Sequence, residues 1–569
     1  MEHQAGWTRS FWPEITVALI SGVVFVLAHF SALTNPWIIN DDVRQQIYWM
    51  QQWQDPALFP GDFLTGYARA YVPWGVKGLY WLASWWMSPL AFAKLLPGFL
   101  FVFLAICLFR IGTNLSGRRL GWAMVACFWL MPFFLDNLSG GLSRSFAAPL
   151  LALFWFGWLA RRPGIMGAAL LLQALFIPYI FLVAALAALL AWLLARLGRD
   201  SPPPFPAQVA HFLLLGLGAV LVVAMNLQFS ADGYGPLVSA PEMVNHPEFY
   251  AHGRYRILPE SSLLWEFISP WEFIPPFREW GPVAGALVGA GLLALVAAGL
   301  RRLDWPTWRQ PLKPVWYLGL ASLALYCLAR LFLLKLFVPD RYLIYTLNLF
   351  YCLVLALGVQ RALRLENWPR YLATLALVAA AALGAWRLQG VGLKDYSAYR
   401  AVYAALAETN RDVLIAGHPN LMDTIPTFAR RRAFATYELA HPWSRGYWAK
   451  LKPRLADLFK AYYAADPQEV VTFCRKYSIA FLIVDDRHFT PAFLKGGFFL
   501  FPGDQPQLPG EARRLAERIY CPFFAPFDDQ IRQLTAGRQS YALLSDPRFH
   551  TLVIDQHVRL IDMRPWLNQ

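Results

Sequence analysis

From the N-terminus to about residue 390, apolar runs alternate with short polar breaks. Several runs approach the length that crosses about 30 Å of hydrocarbon. Read this way the chain holds roughly 11 membrane spans. They lie near 14–33, 91–111, 119–135, 145–160, 164–177, 179–196, 208–228, 281–300, 315–334, 343–360 and 371–388. The pair 164–177 and 179–196 is broken at Ile177-Pro178, which leaves either two spans or two half-depth helices packed against protein. After residue 390 the apolar runs shorten, and charge and proline increase. There Asp412–Ala416, Ala480–Val484, Tyr541–Leu544 and Leu552–Ile554 read as strands, and Leu451–Tyr463 and Gln468–Tyr477 as amphipathic helices. The pattern predicts a polytopic α-helical membrane domain over 1–389 and a soluble α/β domain over 390–569.

Composition agrees. Of the 569 residues 57% are hydrophobic and 15% charged, less charge than a soluble chain of this length carries. The net charge of +14 invites a nucleic-acid reading. Much of that excess, however, is arginine in short loops: Arg118-Arg119, Arg161-Arg162, Arg196 with Arg199, Arg301-Arg302, and Arg361 with Arg364 and Arg370. By the positive-inside rule those loops face the cytoplasm. Segments 34–90, 136–144, 229–280, 335–342 and 390–569 then lie outside, and residues 14–33 serve as a retained signal anchor. The expected location is the cytoplasmic membrane, with a cytoplasmic N-terminus and a periplasmic or extracellular C-terminal domain. Of six cysteines only Cys474 and Cys521 fall in the soluble part, which leaves one pairing open.

The most informative segment opens the first outer loop, Asn40-Asp41-Asp42-Val43-Arg44. Asn40 suits an N-cap and the acids suit a first helical turn. Val43, Ile47, Met50 and Trp53 recur at helical spacing, so the segment reads as a capped helix in the membrane interface. That reading leaves unexplained a long loop, 34–90, rich in Trp and Tyr and carrying further acids at Asp55 and Asp62.

The arrangement resembles the GT-C glycosyltransferases, membrane enzymes that use polyprenyl-phosphate sugars. The match is Asn40-Asp41-Asp42-Val43-Arg44 followed by Asp55-Pro56-Ala57-Leu58-Phe59-Pro60-Gly61-Asp62-Phe63. Gly75–Phe109, Gly140-Gly141-Leu142-Ser143-Arg144, Gly235-Pro236-Leu237 and Pro339-Asp340-Arg341-Tyr342 add to it, so that it covers most of 10–390. Many members carry Asp-Glu where this chain has Asp-Asp. The resemblance implies a sugar carried on a lipid phosphate, attack by an acceptor hydroxyl with inversion, and a carboxylate base. Asp41 is the expected base, with Asp42 to orient it, to bind sugar hydroxyls or to help hold a metal. A divalent cation is compatible with this chemistry, although no ligand set is legible.

The leaving phosphate needs cations in a dry place. Outer-side Arg144, Arg341, Arg254 and Arg256 are the candidates, because a guanidinium fork matches phosphate oxygens. Arg341 follows Asp340 and has it as an alternative partner, Arg254 and Arg256 sit in a long loop, and Lys77 and Lys335 suit snorkelling. Asp136 and Asn137 either line the same cavity or cap a span. Glu242, His246, Glu248 and His252 read as solvated loop residues rather than a metal cluster.

In the soluble part, Gly417-His418-Pro419-Asn420-Leu421-Met422-Asp423 and Val484-Asp485-Asp486-Arg487-His488 follow strands and read as strand-end turns. Tyr437, Trp443, Tyr447 and Trp448 offer stacking surfaces for an acceptor sugar or anchors at the interface. Two other function classes stand beside the transferase. A transporter or flippase of lipid-linked saccharide needs charge buried mid-span and usually an internal repeat; the spans are almost free of charge through their centres and no repeat is legible. A non-catalytic envelope-assembly protein would use the soluble domain as its working surface. The partners implied by the resemblance are a lipid-linked sugar donor, a glycan, lipid or protein acceptor, and membrane lipid, with no nucleic acid.

Overall fold

The computed structural model describes residues 11–197, 205–250, 305–332, 338–362, 386–494, 526–555 and 557–567, with single positions between 253 and 301 and at 336 and 371. Spans expected at 281–300 and 371–388, together with Arg256, His252, Lys335 and Cys521, fall outside or largely outside these residues.

Six described helices are long and apolar enough to cross a membrane: Trp12–Thr34, Pro89–Ser116, Pro178–Arg196, Phe212–Ala231, Lys313–Leu331 and Asp340–Arg361. A seventh candidate is the pair Arg118–Trp129 and Pro132–Leu138, bent by 67° where Pro132 opens the second helix. Ala147–Leu159 and Pro163–Phe176 are shorter apolar helices. The chain does break at Ile177-Pro178, where one helix ends and the next begins with proline at its first position. Glycine lets two helices touch in the apolar layer: a Cβ on Gly112 would come within 2.7 Å of the backbone of Gly121.

The C-terminal part folds around a five-stranded mixed sheet of order β4-β3-β5-β7-β6. Its strands are β3 (Leu414–Gly417), β4 (Arg432–Ala433), β5 (Ile479–Asp485), β6 (Thr551–Asp555) and β7 (Val558–Asp562). β3 pairs in parallel with β4 and β5, while β5–β7 and β6–β7 are antiparallel. Central β5 is buried at every position, which explains its unbroken apolar run Ile479–Val484. Helices Arg445–Tyr462 and Pro467–Tyr477 form as their apolar spacing predicts. Tyr541–Leu544 does not become a strand. It is a short helix, Ala542–Ser545, that closes against the chain at Ala464 through a backbone bond.

A two-stranded ribbon fixes how the two parts meet. β1 (Ile38–Ile39), just past the first helix, pairs antiparallel with β2 (Lys394–Asp395), Ile38 opposite Asp395 and Ile39 opposite Lys394. The opening of the first loop and the opening of the C-terminal part therefore lie on one side of the helices. Among the described residues the cysteines are unpaired, and Cys474 is buried.

Candidate functional site

The segment after Asn40 is not an interfacial helix. It is one helical turn, Val43–Gln46, followed by a 3-10 helix, Tyr48–Trp53. Val43, Ile47, Tyr48, Trp49 and Met50 are all buried in protein. The helical spacing was real, but tertiary packing rather than lipid receives the apolar face. With Val43 and Ile47 anchored in the core, Asp41, Asp42, Arg44 and Gln45 are left to build a polar network.

Asn40 organises that turn. Its Oδ1 accepts from the Asp42 backbone N–H at 3.1 Å, and its Nδ2 donates to the Gly392 carbonyl at 2.7 Å. Ser139 Oγ donates to the same carbonyl at 3.0 Å, so three distant segments meet there. The Gly140-Gly141 turn sits against this junction, both residues having positive φ. A Cβ on Gly140 would lie 2.9 Å from the Asn40 Cβ. Tyr80 Oη donates to both glycine carbonyls, and Ser145 Oγ to the carbonyls of Asn137 and Leu138. These bonds fix the short turn that carries Arg144.

Arg144 forms an ion pair with Asp42, and a longer contact of 3.4 Å to Asn40 Oδ1. Its Nε is buried and has no hydrogen-bond partner among the described residues. Gln45 Nε2 donates to Asp42 Oδ1 and, at 3.2 Å, to Glu438 Oε2, while its Oε1 accepts from Tyr71 Oη at 3.3 Å. Asp41 faces Lys394 of β2, Nζ to Oδ2 being 3.5 Å. Burial alone would raise the Asp41 carboxyl, but Lys394, Arg144 and Arg44 outweigh it and hold the group down at about 2.

The C-terminal part supplies two further acids. Arg44, its side chain buried, lies 3.9 Å from Asp423 Oδ2 and 3.9 Å from Glu438 Oε1, with its guanidinium 4.4 Å from the Tyr396 ring centre. Arg254 reaches Glu438 as well. It donates to the Tyr437 carbonyl at 2.7 Å and to Glu438 Oε2 at 2.7 Å, and covers the Tyr437 ring at 4.4 Å. Burial pushes Asp423 up to about 7, helped by the Glu438 charge and opposed by Arg44. Burial likewise raises Glu438 against the pull of Arg254 and Arg44. Two carboxylates this close share a site in which neither ionises freely.

Arg341 opens the helix Asp340–Ala362, 3.9 Å from Asp340. It is close enough to Arg144 for the two charges to oppose each other, and Tyr255 senses both Arg341 and Arg254. Asp136 lies within the field of Arg144 as well. Asp41, Asp42, Arg144 and Arg254, scattered over more than 200 residues of sequence, thus belong to one network through Gln45, Glu438 and Lys394, while the contact that fixes Arg341 is its neighbour Asp340.

Other readings change. Glu248 is not solvated: it is buried, accepting from Trp448 Nε1 at 3.0 Å and Lys452 Nζ at 3.1 Å. Through it, and through Glu242 paired with Arg445, the 229–258 loop is strapped onto the C-terminal part. Tyr447 is not an open platform, because it stacks on Tyr67 at 3.6 Å inside the protein. Trp443 stacks on His441 at 4.0 Å. Asp485-Asp486-Arg487 is a strand-end turn, with Asp485 bonded to the Arg487 backbone. The other stretch is more than a turn, since it delivers Asp423. Among the described residues no group of three or more His, Cys, Asp or Glu is placed to hold a metal ion. In this structure the acids of the cluster are matched to arginines and Lys394.

Sequence reasoning missed Lys394, Gln45, Asp423 and Glu438. Asp423 carried a signal in its strand-end stretch, and Arg44 and Gln45 stood in or beside the Asp41-Asp42 motif. Glu438 carried none, since only folding brings it beside residue 44.

No family model and no curated protein matches the chain. Solved structures do. ArnT from Cupriavidus metallidurans in the apo state superposes with a TM-score of 0.50 at 11% identity, covering 97% of this chain and 98% of that one. Archaeal oligosaccharyltransferase AglB from Archaeoglobus fulgidus, in complex with an inhibitory peptide and a dolichol-phosphate, gives 0.49 at 12% identity over 89% of this chain and 75% of that one. The same organism's oligosaccharyltransferase in complex with Zn and sulfate gives 0.46 at 13% identity, over 84% and 69%. The likeness to ArnT spans both chains almost completely and establishes the architecture: this chain has the GT-C fold, a multi-pass helical membrane domain joined to a C-terminal domain with a mixed sheet.

Proposed function

We propose that this protein is an inverting glycosyltransferase that moves a sugar from a polyprenyl-phosphate carrier to an acceptor outside the cytoplasm. The observation that carries the reading is Asp42 paired with Arg144 beside Asp41 paired with Lys394, with a buried Arg144 Nε–H left over. That donor and the guanidinium of Arg341 suit the two oxygens of a leaving phosphate.

In the reaction an acceptor hydroxyl oxygen attacks the anomeric carbon, the bond from that carbon to the lipid phosphate oxygen breaks, and the hydroxyl proton passes to a carboxylate. Asp41 suits that task better than Asp42. Its side chain is the more open of the two, 33% exposed against 18%, and a lysine rather than an arginine faces it. Lys394, Arg144 and Arg44 keep it ionised at neutral pH, the form a base requires. Asp42, held by Arg144 and Gln45, positions the phosphate clamp. Arg254 spends its guanidinium on Glu438 and Tyr437, so its role is to close the loop over the cluster.

The test is transfer from a panel of radiolabelled undecaprenyl-phosphate sugars to membrane glycans, with the full-length protein in proteoliposomes. Asp41→Asn is expected to lower the rate by about 10²–10⁴-fold while the donor still binds. Wild-type rates from the doubly substituted Asp41→Asn/Asp42→Asn protein would overturn the proposal.

A further inference from the structure

Away from the acidic cluster, a cleft of about 520 Å³ opens between the first loop and the end of the helix Phe205–Ala231. Its lining includes Trp49, Gln52, Arg69, Lys77, Gln228 and Asp232. The charges in it do not balance: Arg69 and Lys77 stand against the single carboxylate of Asp232. The two cations are tied together, since Lys77 Nζ donates to the Arg69 carbonyl at 3.1 Å. Burial and the neighbouring Arg69 both lower the proton affinity of Lys77, and only Asp232 opposes them. An anion in the cleft relieves that repulsion. Of the two tryptophans in the lining, Trp49 is buried and covered by Arg69 at 5.4 Å, and Trp53 is half-buried.

The surroundings give the ligand a second property. Lys77 lies on the helix Trp74–Ala83, which with the turn after it exposes Trp81, Trp85 and Trp86. Exposed tryptophans cluster at headgroup depth. The other wall ends the helix Phe205–Ala231, whose Leu213, Val220, Val223 and Leu227 are exposed as in a lipid-facing span. Gln228 follows Leu227 directly and is tied to Trp74 Nε1 at 2.9 Å. The polar cleft thus continues into an apolar face with no break.

We infer that this cleft binds the phosphate-bearing headgroup of a membrane lipid, with its acyl chains lying along the exposed face of residues 213–227. Arg69, its guanidinium also bonded to Gln52, and Lys77 hold the phosphate, the Gln228 amide N–H meets a headgroup hydroxyl, and Asp232 limits the affinity.

The test uses the full-length protein in detergent and native mass spectrometry with three probes. Dioleoyl phosphatidylglycerol carries phosphate and chains, dioleoylglycerol the chains alone, and glycerol 3-phosphate the phosphate alone. Phosphatidylglycerol is expected to be retained and dioleoylglycerol is not. Arg69→Gln/Lys77→Gln is expected to cut retention at least fivefold. Asp232→Asn is expected to raise it at least twofold, a sign opposite to that for a cationic ligand. Arg69 and Asp232 are exposed and Lys77 is half-buried, and size-exclusion profiles check that the variants stay folded. Unchanged retention in the double variant, or weaker binding after Asp232→Asn, overturns the site. Glycerol 3-phosphate binding as tightly as phosphatidylglycerol overturns the lipid.

Discussion

Arg254 Nη2 lies 2.7 Å from Glu438 Oε2, and the same guanidinium donates to the Tyr437 carbonyl. One contact thereby joins the 229–258 loop, the C-terminal domain and, through Gln45, the turn that carries Asp41 and Asp42. Removing either partner leaves a buried charge short of its counterion. A double-mutant cycle with Arg254→Ala and Glu438→Ala should show a coupling of about 0.5–3 kcal/mol in thermal unfolding in detergent. Each single variant should also speed proteolysis within the loop. Additive melting shifts would remove Glu438 from this role.

Gln45 separates two carboxylates, donating to Asp42 and to Glu438. Gln45→Glu puts a third acid between them, which raises their proton affinities by like-charge repulsion. The expected outcome is a pH–rate profile whose acid limb moves upward. Gln45→Leu should lower kcat, because it loosens Asp42 and with it the Arg144 that Asp42 positions. A profile indifferent to both substitutions would make Gln45 a packing residue only.

Asp423 and Asp41 shift in opposite directions and predict opposite pH dependences. Burial raises Asp423 to about 7, so the folded protein holds that proton more tightly than the unfolded chain does. Wild-type stability should fall as pH rises from about 4 to about 7, relative to Asp423→Asn, and the difference should be constant above that. Asp41, held at about 2, contributes stability that is present above the ordinary carboxylate range and is lost only as pH falls toward 2. It stays ionised through the usual assay range, so an inflexion in rate near neutrality should survive in no Asp423→Asn protein. Melting temperatures across pH, together with kcat/KM profiles, check both.

Gly140 has φ +85° and backs onto Asn40. Gly140→Ala combines left-handed strain of about 1–2 kcal/mol with a collision at the Asn40 side chain. Asn40 also orients Arg144, so activity should fall further than stability. The comparison is with Gly78→Ala, where a Cβ meets open space and little change is expected.

The membrane domain was legible because span length is a simple physical requirement. A helix crossing hydrocarbon satisfies its own backbone, so composition alone reports it. Strand β5 was legible for a related reason: burial on both faces leaves an unbroken apolar run. The short helix at 542–545 read as a strand because four residues of apolar sequence carry no period. Segment 43–53 shows the limit of periodicity, which reported a helical apolar face and was silent on whether lipid or protein covers it.

By itself, then, the sequence determined that the chain crosses a membrane repeatedly, that a soluble α/β part follows, and that Asp41, Asp42 and the arginines at 144, 254 and 341 merit attention. Only the tertiary structure decided that Asp42 pairs with Arg144, that Arg254 is committed to Glu438, and that Asp423 and Lys394 belong to the same network. The reason is the range of the forces. Hydrophobic periodicity is local and survives in a string of letters. A charge network draws its members from segments more than 350 residues apart, such as Asp41 and Lys394, and exists only once the ribbon of Ile38–Ile39 with Lys394–Asp395 has brought them together.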